Sequence, residues 1–202
     1  MHESSYSKME WFKNSFLSMH KNLKILDVCS LDDYGYYNFQ TIFNCPNWNY
    51  IGLDLKEGNN VDIIVEDIYN WNEIEDNSYD VIISGKFGQI KYFWKTMSEI
   101  KRAIKFGGYI CIITPTNYHI DHNLEIQNNF QINDFHKLAK YFNLEILHTS
   151  YDENSPWKDI CIIAQNNDSN NTNLENKINH LKNKEDLLFN FRQCINNFNK
   201  MD

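Results

Sequence analysis

No stretch of this 202-residue chain approaches the roughly 18 consecutive apolar residues that a membrane-spanning helix needs. Nor does a positively charged segment lead into an apolar one near residue 1, so neither a membrane span nor a secretory signal is expected. Clustered Lys and Arg are lacking too. With 19 basic against 27 acidic residues and a net charge of -8, the chain is not expected to bind a nucleic-acid backbone. The five cysteines (Cys29, Cys45, Cys111, Cys161 and Cys194) are odd in number and scattered, which fits reduced thiols in a cytoplasmic protein better than a disulfide framework. Glycine is scarce as well, seven in all, and no G-x-G-x-x-G run or P-loop follows an apolar segment. That argues against a pyrophosphate cradle, and with it against a nicotinamide oxidoreductase or an ATP site. What remains is ample for one core: 42% of the residues are hydrophobic and 15% aromatic, beneath an Asn-rich polar surface.

The order of the elements carries the first functional information. Met9, Phe12, Phe16 and Met19 recur at spacings of three and four, which predicts an amphipathic helix over 7–20. Short apolar runs follow at 23–28, 50–55, 61–65, 80–84 and 109–114, and the first three end in or just before an acid (Asp27, Asp54, then Glu66 and Asp67). Phe93, Met97, Ile100 and Ile104 predict a helix over about 91–105, stopped by Gly107 and Gly108. Residues 115–131 are polar and irregular. Asn133 or Asp134 is expected to cap a helix running to Phe142, and 144–148 with 159–164 read as a closing strand pair around Ser155, Pro156 and Trp157. Strands of this kind alternating with helices imply an α/β fold with a mostly parallel sheet covered on both faces. Residues 166–173 read as an Asn-rich linker. Leu174, Leu181, Leu188 and Ile195 recur every seven residues, which predicts a separate helix over 174–202. Lys177 and Lys184 interrupt its seam, so it fits a short self-pairing or domain-docking helix, one route to a homo-oligomer, or a free helix.

In an open parallel sheet, ligands bind outside the carboxyl ends of the strands. An acid after the second strand is placed to hold a ribose diol, and Asp54 stands there. Asp67, after the third, is placed to meet an exocyclic amine. Strand-end acids also arise as loop solubilisers or helix caps, but three along one domain point to a ligand carrying adenosine. The loop after the first strand, Cys29, Ser30, Leu31, Asp32, Asp33, Tyr34 and Gly35, holds one glycine, which suits S-adenosylmethionine better than a dinucleotide.

At these residues the chain resembles the class I S-adenosylmethionine-dependent methyltransferases, and more narrowly a type 11-like bacterial branch associated with surface-polysaccharide biosynthesis. The matching pieces are 1–6, 26–30 with Gly35, 50–54, 61–67, 78–85, Phe93 and Trp94 to Met97, 107–113, and Pro156 to Asp159, so the resemblance spans residues 1 to about 165. It implies a Rossmann-like methyltransferase domain over 1–165 and a methyl transfer to O or N of a small polar acceptor, a sugar or sugar-nucleotide in that branch. Asp27, Cys29 and Ser30 would then lie at the methionine end of the cofactor, Asp54 and Leu55 at the ribose, and Asp67 and Ile68 at the adenine. Ser84 and Gly85 would line the pocket near the sulfonium, while Asp80, at the start of its strand, would be structural. The chain departs from the pattern at Cys29, where a glycine is usual, and at Lys86, Phe87, Gly88 and Gln89, which replace a run ending in histidine. These departures leave room for a second reading, a non-catalytic binding or scaffold protein of the same fold.

Methyl transfer to a hydroxyl needs a base. His119 and His122, flanking Asp121, are the candidates, against a plain solvated loop; no fourth ligand at sensible spacing supports a metal site there. Tyr34, Tyr36, Tyr37 and Phe39 either stack on a ligand or cover the sheet edge, and Trp94 reads as core. Glu73, Glu75 and Asp76 read as a solvated turn.

Overall fold

A computed structural model describes residues 2–32, 35, 38–116 and 130–167, all within one unit, Met1–Asp168. Seven strands form one sheet: β1 (Leu23–Val28), β2 (Trp48–Asp54), β3 (Ile63–Ile64), β4 (Tyr79–Ser84), β5 (Ile104–Pro115), β6 (Glu145–Tyr151) and β7 (Asp159–Gln165). Their spatial order is β3-β2-β1-β4-β5-β7-β6. Pairing is parallel from β3 through β5, and β7 lies antiparallel between β5 and β6. The α/β class with a mostly parallel sheet is therefore as expected.

Among the described residues four α-helices accompany the sheet: α1 (Glu3–Phe12), α2 (Gln40–Phe43), α3 (Phe93–Ala103) and α4 (Ile132–Tyr141). From β1 the chain moves outward to β2 on one side, and from β4 to β5 on the other. Right-handed crossovers then place the intervening helices on opposite faces. One core layer joins Met9, Phe12, Phe39 and Phe43 to alternate strand residues such as Ile25, Val81, Ile83, Cys111, Ile113, Cys161 and Ile163. On the far face Ile82, Ile110, Ile112 and Ile162 are equally buried. Burial on both faces is why these strands read as continuous apolar runs.

Several elements differ from the sequence expectation. The first helix starts at Glu3, capped by His2, and ends in a π-helical turn, Lys13–Leu17. That wider turn breaks the 3.6-residue period, so Met19 drops off the apolar stripe and stands 90% exposed. The third strand holds two residues rather than five. The helix expected to stop at Gly107 and Gly108 ends instead at Ala103, and β5 begins at once. Gly107, at φ +76, and Gly108 form a bulge where the register jumps from Tyr79↔Ile104 to Val81↔Tyr109. A Cβ on Gly108 would lie 2.8 Å from Ile104 Cδ1 and 3.0 Å from the Asp80 carbonyl, so the glycine serves packing here and not helix termination. At α4 the cap is Gln131, with Asp134 answering from the third position as a capping box. Asn166, the first residue of the expected linker, is buried: its N–H donates to the Gly108 carbonyl and its side chain meets Lys101.

No helix among the described residues is long and apolar enough to cross a membrane. The remainder of the 166–173 segment beyond Asn167, the helix expected over 174–202 and Cys194 lie outside the described residues.

Candidate active site

The connections out of β1 and β4 diverge between these neighbouring strands, which pair Asp27↔Ile83. Their carboxyl ends therefore open a crevice at the topological switch point. Cys29, Ser30, Asp54, Leu55, Ser84 and Gly85 all lie at this edge, at the ends of β1, β2 and β4. Ser84, fully buried, donates to the Val28 carbonyl at 2.9 Å and ties the two strand ends together. The N–H groups of Cys29 and Ser30 both donate to the Leu53 carbonyl, at 2.9 and 3.1 Å, which folds the β1 loop over the end of β2. Asp54 holds that loop from the other side: Oδ2 accepts from Leu31 N–H at 3.0 Å and Oδ1 from Leu55 N–H at 2.7 Å.

Cys29 takes φ +63, the left-handed region where a glycine costs nothing and a side chain is strained. Burial and the Asp54 carboxylate push its thiol well above the usual range, so it is no nucleophile. Asp27 sits one residue inside the strand end and is only 3% exposed. Its Oδ2 accepts from the Tyr50 hydroxyl at 2.5 Å, and Asn60 Nδ2 donates to that hydroxyl at 3.1 Å and to the Ser30 carbonyl at 3.0 Å. Burial pushes the Asp27 carboxyl up to about 7, with the Tyr50 hydrogen bond and the Lys86 charge pulling the other way. Beneath this cluster Gly52 is obligatory: a Cβ there would lie 1.9 Å from the Asn60 carbonyl and 2.6 Å from Ser30 Oγ.

Asp67 is exposed, accepting from Tyr69 N–H at 2.9 Å, while Ile68 is buried with its carbonyl bound to the Trp71 indole and the Thr96 hydroxyl. Asp80, at the start of β4, binds Lys24 N–H and Lys105, a structural role at the opposite edge. Phe39 is core, its ring against Gly85. Trp94 is only half-buried, and Glu73, Glu75 and Asp76 are exposed, Asp76 pairing with Arg102. His119, Asp121, His122, Tyr34, Tyr36 and Tyr37 lie outside the described residues.

Three features were not foreseen from sequence. Tyr50 and Asn60 close the polar cluster around Asp27. Lys86, just past Ser84 and Gly85, reaches across the crevice to the Leu31 carbonyl at 2.5 Å. At the same edge, β7 begins at Asp159 opposite Pro115, the last residue of β5. The fully buried Asp159 accepts from Ser4 Oγ at 2.5 Å and faces Lys8 at 3.6 Å, while His2 stacks on Trp157 with centroids 4.5 Å apart. Beside this cluster a groove of about 390 Å³ runs between α1 and β6, lined by Ser4, Lys8, Trp11, His148, Ser150 and Asp152 among others.

Solved structures match about four-fifths of the chain. The Burkholderia thailandensis 1,6-didemethyltoxoflavin-N1-methyltransferase, solved with 1,6-didemethyltoxoflavin and S-adenosylhomocysteine, superposes with a TM-score of 0.64 at 11% identity, over 82% of this chain and 80% of its own. An S-adenosylmethionine-dependent methyltransferase from Aquifex aeolicus gives 0.61 at 14%, covering 80% and 91%, and one from Archaeoglobus fulgidus gives 0.58 at 13%, covering 80% and 94%. The fold is that of the class I methyltransferases.

No protein-family model and no curated sequence matches the chain. In an open parallel sheet the ligand crevice lies where neighbouring strands send their connections apart, here β1 and β4, and Cys29, Ser30, Asp54, Leu55, Ser84 and Gly85 lie along it. A fit to S-adenosylmethionine can be tested on the chain itself. Ser30 Oγ and Asn60 Oδ1 are buried at the end of β1 with no hydrogen-bond partner among the described residues, which is uncommon for polar atoms unless something else binds them. With the Asp54 carboxylate at the β2 end, a polyhydroxylated, nitrogen-rich ligand suits the crevice.

Proposed function

We propose that the protein is a methyltransferase that moves a methyl group from S-adenosylmethionine to oxygen or nitrogen of a small polar acceptor. The observation that carries this reading is the convergence of Asp54, the β1 loop and the β4 end on one crevice at the switch point of a methyltransferase-fold sheet. When bound, the cofactor would supply a methyl carbon activated by a positive sulfur. Asp54 holds the ribose hydroxyls, and Leu55, 47% exposed beside it, covers the nucleoside. Asp67 and Ile68 flank the adenine, with Asp27, Cys29 and Ser30 toward the amino-acid end. Ser84 and Gly85 face the reacting centre. His119 or His122 takes the acceptor's proton. Alignment of the acceptor does most of the work in such a displacement.

The finer reading is a sugar or nucleotide-linked sugar of bacterial surface-glycan synthesis. The resemblance to the type 11-like branch supports it. So does the α1–β6 groove, where Trp11, 43% exposed, offers a ring face beside serine hydroxyls and the Lys8–Asp152 pair. A second reading, the non-catalytic scaffold, draws support from Cys29, whose side chain stands where backbone usually meets the cofactor.

Calorimetric titration with S-adenosylhomocysteine separates the two. Micromolar binding by the intact chain, weakened at least about tenfold in Asp54→Ala, is the expected result. No binding at millimolar ligand would give the scaffold reading the lead.

A further inference from the structure

The groove between α1 and β6 lies on the half of the sheet edge that the crevice leaves unused. β6 runs parallel to β5, so its end at Tyr151 comes to the same edge as the ends of β1 and β4. The groove holds about 390 Å³, within the size range of small-molecule sites. Its walls combine an aromatic pair with a surplus of negative charge. Trp11 is 43% exposed, and the His148 ring leans on it with centroids 4.6 Å apart. Lys8, the cation among the lining residues, is already paired: Nζ meets Asp152 at 2.8 Å and Asp159 at 3.6 Å. Behind Ser4 and Lys8, Asp159 keeps its Oδ1 buried, 3.5 Å from His2 Nε2, with no hydrogen bond among the described residues. Burial holds the His2 imidazole below its usual range against the pull of Asp159, so that ring adds little positive charge near neutral pH. Over the walls as a whole, α1 and the β6–β7 hairpin carry six carboxylates (Glu3, Glu10, Glu145, Asp152, Glu153 and Asp159) against Lys8 and Lys158. A cleft lined by one sign of charge concentrates the opposite ion, and the negative face of an exposed indole attracts the same cations. A neutral ligand gains neither effect, and a phosphate meets net repulsion.

We propose that the α1–β6 groove is a binding site for an organic ammonium group, held between the Trp11 ring and the Asp152 carboxylate. That this ammonium belongs to the methyl acceptor rests on the cofactor reading above; the binding itself does not. The acceptor is then an amine, or a sugar that carries one, and not a phosphate-linked sugar. Three strand spacings, about 14 Å, separate β4 from β6. The ammonium is therefore a handle that orients the acceptor and not the atom that is methylated.

Three probes isolate the charge. Choline and 3,3-dimethylbutan-1-ol share one shape and differ by a single positive charge, and phosphocholine adds a phosphate to the first. Titrating each into the intact chain by ligand-detected NMR should give millimolar choline binding, at least about fivefold tighter than the alcohol, with phosphocholine weaker than choline. Trp11→Leu should weaken choline at least about threefold. Asp152→Asn, which keeps the acceptor atoms of that turn, should weaken choline at least about twofold and leave the alcohol unchanged. Equal affinity for choline and the alcohol, or choline binding that both variants leave untouched, would overturn the proposal. So would tighter binding of phosphocholine, or no choline binding at tens of millimolar. S-adenosylhomocysteine, titrated separately, keeps the two readings apart. Choline binding without it removes the cofactor reading and leaves the groove assigned, whereas the reverse removes the groove assignment alone.

Discussion

Asn does in this chain what glycine does in most. Asn47, Asn60, Asn77 and Asn143 all sit at positive φ, between 49° and 68°, where the short amide side chain tolerates the left-handed region better than other residues. Of the seven glycines in the sequence, Gly52 and Gly108 stand where space demands them, Gly52 under the Asn60 carbonyl. Cys29 breaks this economy: a thiol-bearing residue holds φ +63 at the tightest turn of the crevice. A non-glycine residue there costs about 1–2 kcal/mol, and the extra freedom of glycine in the unfolded chain offsets about 0.4–1 kcal/mol of that. Cys29→Gly should therefore stabilise the fold by about 0.5–1 kcal/mol, read as a higher urea midpoint at unchanged slope. A lower midpoint would show that the Cys29 side chain contributes packing that outweighs its backbone strain.

At the scale of elements, α1 is bound to the antiparallel end of the sheet by a polar knot as well as by its apolar face. Its buried Met9 and Phe12 face the core, while Ser4 and Lys8 reach Asp159 and Lys8 also pairs with Asp152 at 2.8 Å. Asp159 is fully buried, so removing its carboxylate leaves Ser4 and His2 without their partner in a dry setting, which typically costs about 1–3 kcal/mol. Asp159→Ala should speed amide exchange across Glu3–Phe12 while β1 and β4 keep their protection. Unchanged exchange in the helix would mean that its apolar face alone holds it. Proximity in sequence gives no hint of this knot, because Ser4 and Asp159 stand 155 residues apart.

For the whole molecule, pH stability should carry the mark of Asp27. Its carboxyl is raised from 3.8 to about 7 by burial, so the folded chain holds that proton more tightly than the unfolded one. The folded state therefore gains most at low pH, and the contribution is lost as pH rises from about 4 to about 7, after which it is flat. A three-unit shift bounds the effect at about 4 kcal/mol. Asp27→Asn keeps an acceptor for the Tyr50 hydroxyl without the charge, so it should flatten the wild-type decline between these pH values and melt higher than wild type at pH 8. Parallel pH profiles for the two proteins would show that the folded chain holds the Asp27 proton no more tightly than the unfolded one.

The sequence alone determined the parts of this protein whose signals are local. Apolar runs buried on both sides announce β1, β4, β5 and β7, because a strand with two dry faces must be apolar at every position. Acids at the ends of such runs announce Asp54 and Asp67 for the same reason, since they begin where burial stops. The tertiary structure decided what depends on chain segments far apart. It set β7 antiparallel between β5 and β6, turned Gly107 and Gly108 into a bulge, and carried Lys86 to Leu31 across 55 positions. It also moved Asp27 from an open strand end into a dry cluster with Tyr50 and Asn60. No periodicity encodes these arrangements, because each arises from which strands pair and how their loops then meet, a choice made by the packing of the sheet as a whole.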